Sequence, residues 1–226
     1  MNDAERPPVL AAQRFAAERA SFAGLDLAGR FAHIDATNLW GAATTTAGLG
    51  SERSATAAIR DALPALIRTL GIRSLLDAPC GDAAWLDPGV PCIGVDIVPA
   101  IVARRSKAGV DSRIADITTD ALPLADAVLC RDCLVHLSFA NIARAVANFR
   151  RSGATWLITT TFTNWQVNRD CDDGDWRALN FERAPFYWPP PLAVLDEACT
   201  EAGGGWRDKA LGVWRLGALV SAPPYR

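Results

Sequence analysis

The sequence lacks three features that would place it in other broad classes of protein. It has no run of Lys or Arg, and its 23 basic and 25 acidic side chains give a formal net charge of −2. We therefore expect no phosphate-neutralising surface and no nucleic acid partner. It has no apolar stretch of about 20 residues, so we expect no membrane partner either. A charged-then-apolar leader is also missing, which predicts that the protein is not exported.

The six cysteines lack the spacing of a disulfide framework or of a zinc site. They stand at positions 80, 92, 130, 133, 171 and 199, several of them inside apolar runs. This scatter favours reduced thiols and a cytoplasmic location. Cys130 and Cys133 form one C-x-x-C pair, whereas a structural zinc ion takes four ligands and no second pair accompanies them. We therefore predict no metal site and favour a role as small core side chains for this pair.

The stretch from 74 to 96 contains a short loop between two apolar runs, and we interpret the rest of the chain around it. The first run ends at Asp77, a tight turn fills 78–82, and the second run ends at Asp96. This order predicts a strand, a loop, a short helix, a second strand and an acid. In a βαβ unit of this kind, the crevice beyond the strand ends binds a nucleotide-like ligand. An acid about 20 residues after the loop reaches ribose hydroxyls.

The composition of the loop argues against a dinucleotide ligand. Dinucleotide sites use G-x-G-x-x-G, so that backbone amides surround a pyrophosphate. Here Gly81 is the only glycine, Pro79 has no N–H, and Asp82 adds negative charge near the predicted helix start. A cofactor with a ribose, an adenine and a cationic or zwitterionic end therefore fits better.

The patterns D-A-P-C-G-D at 77–82 and G-V-D-I at 94–97 resemble motifs I and II of the class I S-adenosylmethionine-dependent methyltransferases. The usual family loop is closer to D-x-G-x-G-x-G, and this chain departs from it at Pro79 and Ala83. The resemblance covers about residues 55–220. It implies an α/β fold with a doubly wound, mostly parallel, seven-stranded Rossmann-like sheet and an antiparallel last strand.

With 226 residues, half of them hydrophobic, the chain can bury one sizeable core, so we expect one domain with an appendage. We assign 1–54 to a helical N-terminal extension that covers the site and becomes irregular from Phe31, and 55–226 to the methyltransferase domain. Within that domain, 161–191 breaks the regular alternation and is rich in aromatic residues, which is typical of a functional lid. The spacing then predicts a last helix over 192–202 and closing strands over 206–210 and 212–220.

Several other elements have clear local signals. An apolar stripe from Ile59 to Leu70 predicts a helix that ends at Gly71. A second helix is predicted over 99–107, and a third begins after Ser138 as its N-cap. Apolar runs predict strands over 110–116, 125–130 and 155–160.

The resemblance implies S-adenosyl-L-methionine as the cofactor. It implies that Asp96 binds ribose hydroxyls, that Asp77 holds the methionine end, and that Asp116 contacts the adenine ring. The predicted cofactor-binding set is Trp40, Asp77, Ala78, Cys80, Gly81, Asp96, Ile97, Asp116, Ile117 and Arg131. The alternatives are structural: a solvated turn acid for Asp96, a helix-approach cap for Asp77, and simple packing for Trp40.

Asp132 and His136 are the predicted catalytic residues, at the carboxyl end of the predicted fourth strand. They stand four positions apart, so they share one face if the segment is helical. The intrinsic pKa of His136 suits proton removal near neutrality, although a structural His bonded to backbone remains the alternative. The sulfonium of the cofactor is already activated, so positioning the acceptor would supply most of the catalysis.

The predicted function is methyl transfer from S-adenosylmethionine to an O or N atom of a small-molecule acceptor. The predicted substrate-binding residues lie in the lid: Trp165, Arg169, Trp176, Arg177 and Tyr187. The acids of the lid form the usual solvated charge run or flank an anion clamp. The alternatives are a nicotinamide-dependent oxidoreductase on a similar sheet and a non-catalytic cofactor- or protein-binding domain of the same fold. The sequence leaves a homodimer open.

Overall fold

Seven strands form one mixed sheet in the computed structural model, which describes residues 3–82 and 84–219. The strands are β1 (Leu75–Asp77), β2 (Cys92–Asp96), β3 (Ser112–Ile114), β4 (Ala127–Cys130), β5 (Trp156–Phe162), β6 (Ala193–Asp196) and β7 (Lys209–Arg215). Their spatial order is β3-β2-β1-β4-β5-β7-β6. Strands β1 to β5 are mutually parallel, and β7 is antiparallel to both β5 and β6. The predicted doubly wound, mostly parallel, seven-stranded sheet is therefore confirmed.

Five helices of nine or more residues accompany the sheet in the described ranges. They are α1 (Leu10–Glu18), α2 (Leu27–Thr37), α3 (Ala57–Thr69), α4 (Pro99–Lys107) and α5 (Phe139–Arg151). A further helical turn, Glu201–Gly204, is interrupted by left-handed backbone at Ala202 and Gly203. Within 3–82 and 84–219, no helix has the length and apolar character needed to cross a bilayer.

Apolar side chains cover both faces of the sheet, because successive strand residues point in opposite directions. Leu75 packs with Ile59 and Ile67 of α3 on one face. Its neighbour Leu76 packs in the cluster that contains Phe149 of α5 on the other face. Since both faces are buried, as is usual for parallel strands, the open surface of the sheet is found at the strand ends.

Local sequence signals located several of these elements closely. Helix α4 has the predicted bounds, and α5 begins where the Ser138 hydroxyl accepts a hydrogen bond from the backbone N–H of Asn141 at 3.3 Å. Helix α3 is followed by Gly71, whose φ of +65° is the left-handed conformation typical of a glycine after a helix.

The prediction for the C-terminal region was wrong in its details. Residues 192–202 contain strand β6 instead of a helix, and the two predicted closing strands are replaced by the single strand β7. Val220, the last residue of the second predicted strand, lies outside the described residues. Strand β6 pairs with β7 from Ala193 opposite Val213 to Asp196 opposite Ala210. This ladder outweighs the helix propensity of the Leu, Ala and Glu residues there.

Two predictions for the first half of the chain were also wrong. The described residues between β1 and β2 form turns instead of a short helix. Helix α2 occurs where irregular chain was expected from Phe31. Its N-cap is Asp26, whose carboxylate accepts a hydrogen bond from the backbone N–H of Gly29 at 2.8 Å. Leu27, Phe31 and Ile34 then follow one another at helical spacing.

The N-terminal extension is fastened to the end of the sheet formed by the antiparallel strands. Arg6 forms a buried ion pair with Asp208, next to β7. The indole N–H of Trp206 donates a hydrogen bond to the carbonyl oxygen of Pro7 at 3.0 Å. Phe15 and Phe22 are almost fully buried within the extension and give it a small core of its own. The extension therefore has a fixed position above the strand ends.

The segment 161–191, predicted as an aromatic lid, begins with the last two residues of β5. After Phe162 it has no regular helix or strand. Much of its aromatic content belongs to the main core. Phe181 and Trp188 stack with ring centroids 4.2 Å apart, and Trp188 also contacts Trp214 of β7 at 5.3 Å. Phe186 is buried in the same cluster. These three aromatic residues of the segment therefore contribute to the core.

Asn180 organises this segment, and its replacement tests that role. Its side-chain amide donates to the carbonyl oxygens of Thr163 at 3.2 Å and Trp165 at 2.9 Å, and its Oδ1 accepts from the N–H of Glu182 at 3.0 Å. Because Asn180 is only 2% exposed, Asn180→Ala leaves these groups unpaired. We expect a loss of about 3 kcal/mol in the free energy of unfolding, measured by urea denaturation.

The control for this variant is Asn164→Ala, at an exposed position in the same segment. We expect a change below about 0.5 kcal/mol there. Equal losses in the two variants would contradict the role given to Asn180.

Candidate functional site

The carboxyl ends of β1 to β4 open into a cleft of about 940 Å³ including its mouth, which we call the main cleft. It lies beside the strand at which the sheet order reverses, where doubly wound sheets bind their ligands. Ala78 is absent from its lining because its side chain is fully buried in the core. The other residues predicted to bind cofactor or to act in catalysis all line it: Trp40, Asp77, Cys80, Gly81, Asp96, Ile97, Asp116, Ile117, Arg131, Asp132 and His136.

Asp77, the last residue of β1, brings a buried carboxylate to the main cleft. The residue is 3% exposed, and its Oδ2 makes no hydrogen bond. Nη2 of Arg105 lies 3.7 Å from that oxygen. Burial raises the pKa of Asp77 to about 7, with Arg105 opposing the shift and Asp96 adding to it. A ligand with a cationic hydrogen-bond donor would satisfy this oxygen.

Asp96, the last residue of β2, holds the glycine turn against the sheet. Its Oδ2 accepts a hydrogen bond from the N–H of Gly81 at 3.1 Å, and its Oδ1 accepts one from the N–H of Val98 at 2.9 Å. Gly81 has a φ of +48°, and a Cβ there would lie 3.2 Å from the Cβ of Ala47. Burial raises the pKa of Asp96 to about 6. Each carboxylate oxygen keeps a second lone pair that can accept from a hydroxyl group.

Asp116 and Ile117 follow β3 and combine an apolar surface with a polar edge. The Oδ1 of Asp116 accepts hydrogen bonds from the backbone N–H and the hydroxyl of Thr118, both at 2.7 Å. The buried amide of Asn148 donates to the carbonyl oxygen of Ile117 at 2.9 Å. Ile117 is 7% exposed, and Ile97 lines the same cleft. This fixed turn suits a flat, mainly apolar ring with a hydrogen-bond donor at its edge.

A buried ion network lies at the end of β4. Nη2 of Arg131 donates to Oε2 of Glu197 at 2.6 Å and to the carbonyl oxygen of Gly50 at 2.8 Å, and Nζ of Lys209 donates to Oδ2 of Asp132 at 2.6 Å. Burial opposes ionisation of Asp132, but Lys209 and Arg131 outweigh it, so the pKa of Asp132 is lowered. Asp132 is therefore a poor proton acceptor near neutral pH.

Gly50 allows the N-terminal extension to close over this network. A Cβ at this position would lie 2.6 Å from Oδ2 of Asp132 and 2.9 Å from Nζ of Lys209. The close approach therefore requires glycine, and it places Leu49–Ser51 across the end of β4.

His136 presents a neutral imidazole to the main cleft. Its Nδ1 lies 2.8 Å from the carbonyl oxygen of Asp175, which fixes the proton on Nδ1 and leaves Nε2 as an acceptor. The indole of Trp40 stacks on the ring at a centroid distance of 4.1 Å, and the buried Nε1 of Trp40 has no hydrogen-bond partner. Burial lowers the pKa of His136 to about 4.

The predicted alignment of Asp132 with His136 on one helical face does not form. Asp132 has a φ of +50° and precedes the short 3-10 helix Leu134–His136. Both residues nevertheless line the main cleft, because the turn after β4 brings them there.

A second opening of about 470 Å³, which we call the side cavity, adjoins the main cleft. The two share Trp40, Ala47, Asp132 and His136 in their linings. The side cavity extends under the N-terminal extension to β5, β7 and the turn before β7. The groups that line only the side cavity include Phe162, Trp176, Glu201, Trp206 and Lys209.

Among the predicted substrate-binding residues, Trp176 lines the side cavity. The other four lie outside the linings of both cavities. Trp165 packs beneath the guanidinium of Arg6, 5.4 Å from its carbon to the ring centroid. Arg169 is exposed, and Tyr187 is 67% exposed.

Arg177 has a supporting position instead. Its Nη1 donates to the carbonyl oxygen of Leu134 at 2.8 Å, and its Nη2 donates to that of Leu137. Arg177 therefore braces the short helix that carries His136.

Sequence reasoning missed several residues of the site. Asp35 lines the main cleft from α2 and pairs with Arg104 of α4, with Nη1 3.1 Å from Oδ2. Its local signal was the helical spacing of Leu27, Phe31 and Ile34. Glu197, Glu201 and Lys209 were also missed. Lys209 had one local signal, a single charge at the start of the apolar run of β7.

Several solved structures with a similar fold are methyltransferases. The chain superposes on the 1,6-didemethyltoxoflavin-N1-methyltransferase of Burkholderia thailandensis with a TM-score of 0.51 and 16% identity, over 92% of each chain. That protein was crystallised with 1,6-didemethyltoxoflavin and S-adenosylhomocysteine. The magnesium protoporphyrin IX methyltransferase of Synechocystis PCC 6803, with bound S-adenosylmethionine, gives a TM-score of 0.50 and 15% identity, over 66% of this chain and 81% of that one.

The methyltransferase domain of a bacterial Hen1 protein gives a TM-score of 0.51 and 14% identity, over 74% of this chain and all of that one. These likenesses show that the chain has the class I methyltransferase fold. The chain spans only 57% and 66% of two other matched chains, a Pyrococcus horikoshii protein and a second Hen1 methyltransferase structure. No family model matches the sequence, and no curated protein matches it.

The pKa of His136 can be measured directly, since His33 is the only other histidine. We expect a ¹³Cε1 NMR titration to give a midpoint near 4 for His136, because burial disfavours the imidazolium. Between about pH 6.5 and 4 only the unfolded chain takes up this proton, so His136 makes the fold less stable as the pH falls through that window. The variant His33→Gln assigns the second signal. A midpoint of about 6.5 for His136 would contradict a buried ring under Trp40.

Proposed function

We propose that the protein binds S-adenosylmethionine in the main cleft and transfers its methyl group to an O or N atom of a small-molecule acceptor. The observation that carries this proposal is the buried Oδ2 of Asp77, which lines the cleft and has no hydrogen bond. A buried carboxylate is costly unless a donor satisfies it. The α-ammonium group of the cofactor is such a donor.

The other polar groups of the cleft suit the remaining parts of this cofactor. Asp96 would accept hydrogen bonds from the ribose hydroxyls, since both of its oxygens keep a free lone pair. Asp116 would accept from the exocyclic amine of the adenine, with Ile97 and Ile117 against the ring. The unpartnered Nε1 of Trp40 would donate to an acceptor atom of the ligand.

The charge of the cleft weighs against a nicotinamide dinucleotide. Asp35, Asp77, Asp96, Asp116 and Asp132 all line it, and Arg131 is its one lining cation among the described residues. That cation is already paired with Glu197. A pyrophosphate would meet several carboxylates and no free cation, whereas a sulfonium with an ammonium group meets the opposite charge.

The protein's own groups would position the acceptor and exclude water. When bound, S-adenosylmethionine would supply a methyl group that its sulfonium already activates. Nε2 of His136 can receive the proton that an acceptor hydroxyl or amine loses, because the ring is neutral and its Nδ1 is held by Asp175. Trp40 stacks on this ring and fixes its plane. Because burial opposes the imidazolium, positioning contributes more than proton transfer.

The similar structures support the same proposal at the level of the fold. The Burkholderia enzyme was crystallised with bound 1,6-didemethyltoxoflavin and S-adenosylhomocysteine, and the Synechocystis enzyme with bound S-adenosylmethionine. Because their sequence identities to this chain are only 15% and 16%, the acceptor of this chain has to be inferred from its own residues.

Calorimetric titration with S-adenosylmethionine and with NAD tests the proposal. We expect S-adenosylmethionine to bind and NAD not to bind. Since only ionised Asp77 attracts the ammonium and its pKa is about 7, affinity should rise about tenfold from pH 6 to pH 8. Asp77→Asn should weaken binding at pH 8 by about tenfold or more and remove much of this pH dependence.

The matched control is Asp61→Asn, which removes an exposed acid from α3 and should leave affinity unchanged. Tight binding of NAD without binding of S-adenosylmethionine would overturn the proposal in favour of an oxidoreductase.

A further inference from the structure

The side cavity lies where an acceptor would have to meet the cofactor, if the proposed function holds. The two cavities share Trp40 and His136, so a molecule in the side cavity reaches the main cleft at the free nitrogen of His136. Its volume of about 470 Å³ includes space that is open to solvent, so a bound molecule would fill only part of it. The groups that line only the side cavity therefore determine which molecules can enter it.

Aromatic rings form part of its wall. Phe162, Trp176 and Trp206 form a cluster of edge-to-face pairs, with ring centroids 4.9 Å to 5.8 Å apart. Trp40 adds a fourth ring from the N-terminal extension. Indole faces attract cations more strongly than any other side-chain ring. The guanidinium of Arg6 already makes such a cation–π contact, with its carbon 5.1 Å from the ring centroid of Trp206.

The charges beside these rings leave one carboxylate in excess. Arg131 and Lys209 are paired with Asp132 and Glu197 in the buried network at the end of β4. Glu201 lines the side cavity as a third acid, and within 3–82 and 84–219 it has no ion pair. Arg6 does not offset it, because Arg6 is paired with Asp208.

Partial burial makes this excess charge significant. Burial raises the pKa of Glu201, and the attraction of Lys209 opposes that shift. A carboxylate in such a position is stabilised by a cation that reaches it without water between them. An anionic ligand would instead meet Glu201, and Lys209, the one cation that lines the side cavity among the described residues, is already paired with Asp132.

We propose that the side cavity is the acceptor pocket and that it selects a small molecule with a cationic amine, whose ammonium is held by Glu201 and whose body lies against the rings of Trp176 and Trp206. The body of such a molecule is planar or apolar, to match the rings. Its reacting O or N atom lies toward His136, at the junction with the main cleft. The cationic amine thus anchors the acceptor at a distance from the atom that receives the methyl group.

The test uses the 226-residue protein saturated with S-adenosylhomocysteine and three probes of similar size: 2-phenylethylamine, 2-phenylethanol and phenylacetate. Binding is followed by tryptophan fluorescence and calorimetry, so no acceptor turnover is needed. We expect the amine to bind about tenfold more tightly than the alcohol, and phenylacetate to bind most weakly. Glu201→Gln should remove this preference and leave the affinity of the alcohol unchanged.

The control is Glu182→Gln, an exposed acid outside both cavities, which should retain the preference. Equal affinities for amine and alcohol, tighter binding of phenylacetate, or no amine binding at millimolar concentration would each overturn the inference. If S-adenosylhomocysteine binds normally in those cases, the proposed function stands and only the acceptor class is wrong. If S-adenosylhomocysteine itself fails to bind to the unmodified protein, the proposed function and the acceptor role of the side cavity both fall.

Discussion

The site depends on one constraint: Oδ2 of Asp77 is buried at the end of strand β1 without a hydrogen bond. Parallel strands place their carboxyl ends at one edge of the sheet, so Asp77 and Asp96 converge there. Burial and mutual repulsion raise the pKa of Asp77 to about 7, which costs the fold on the order of a few kcal/mol at high pH. Such a cost is understandable where a cationic ligand offsets it.

The ion network at the end of β4 also contains buried carboxylates, but these are paired with cations. Arg131, Asp132, Glu197 and Lys209 bring together two cations and two acids that form ion pairs in the interior, although Oε1 of Glu197 has no hydrogen bond. Because Gly50 adds its carbonyl oxygen, the network also fastens the N-terminal extension above the strand ends. The extension in turn brings Trp40 onto His136. The paired network thus supports the junction of the two cavities, and Asp77 in the main cleft and Glu201 in the side cavity remain available to ligands.

Sequence reasoning succeeded where the signal was local. The apolar run before Asp77, the acid that ends β2 and the Ser138 cap all depend on a few neighbouring residues, and each was located correctly. It failed where contacts between distant residues decide the outcome. Residues 192–202 have helical composition, yet pairing with β7 makes part of them a strand. The partners in the ion network are far apart, since Arg131 and Glu197 are separated by 66 positions. No pattern among neighbouring residues predicts such a pair.

The most direct test of the central claim is the pKa of Asp77, followed by ¹³Cγ NMR in the free protein and in the presence of S-adenosylhomocysteine. The account predicts a midpoint near 7 in the free protein, because the carboxylate is buried and its Oδ2 lacks a hydrogen bond. It predicts a midpoint below 4 when the ligand's ammonium group supplies the missing donor. A midpoint near 4 in the free protein, or one that does not move on addition of ligand, would contradict it.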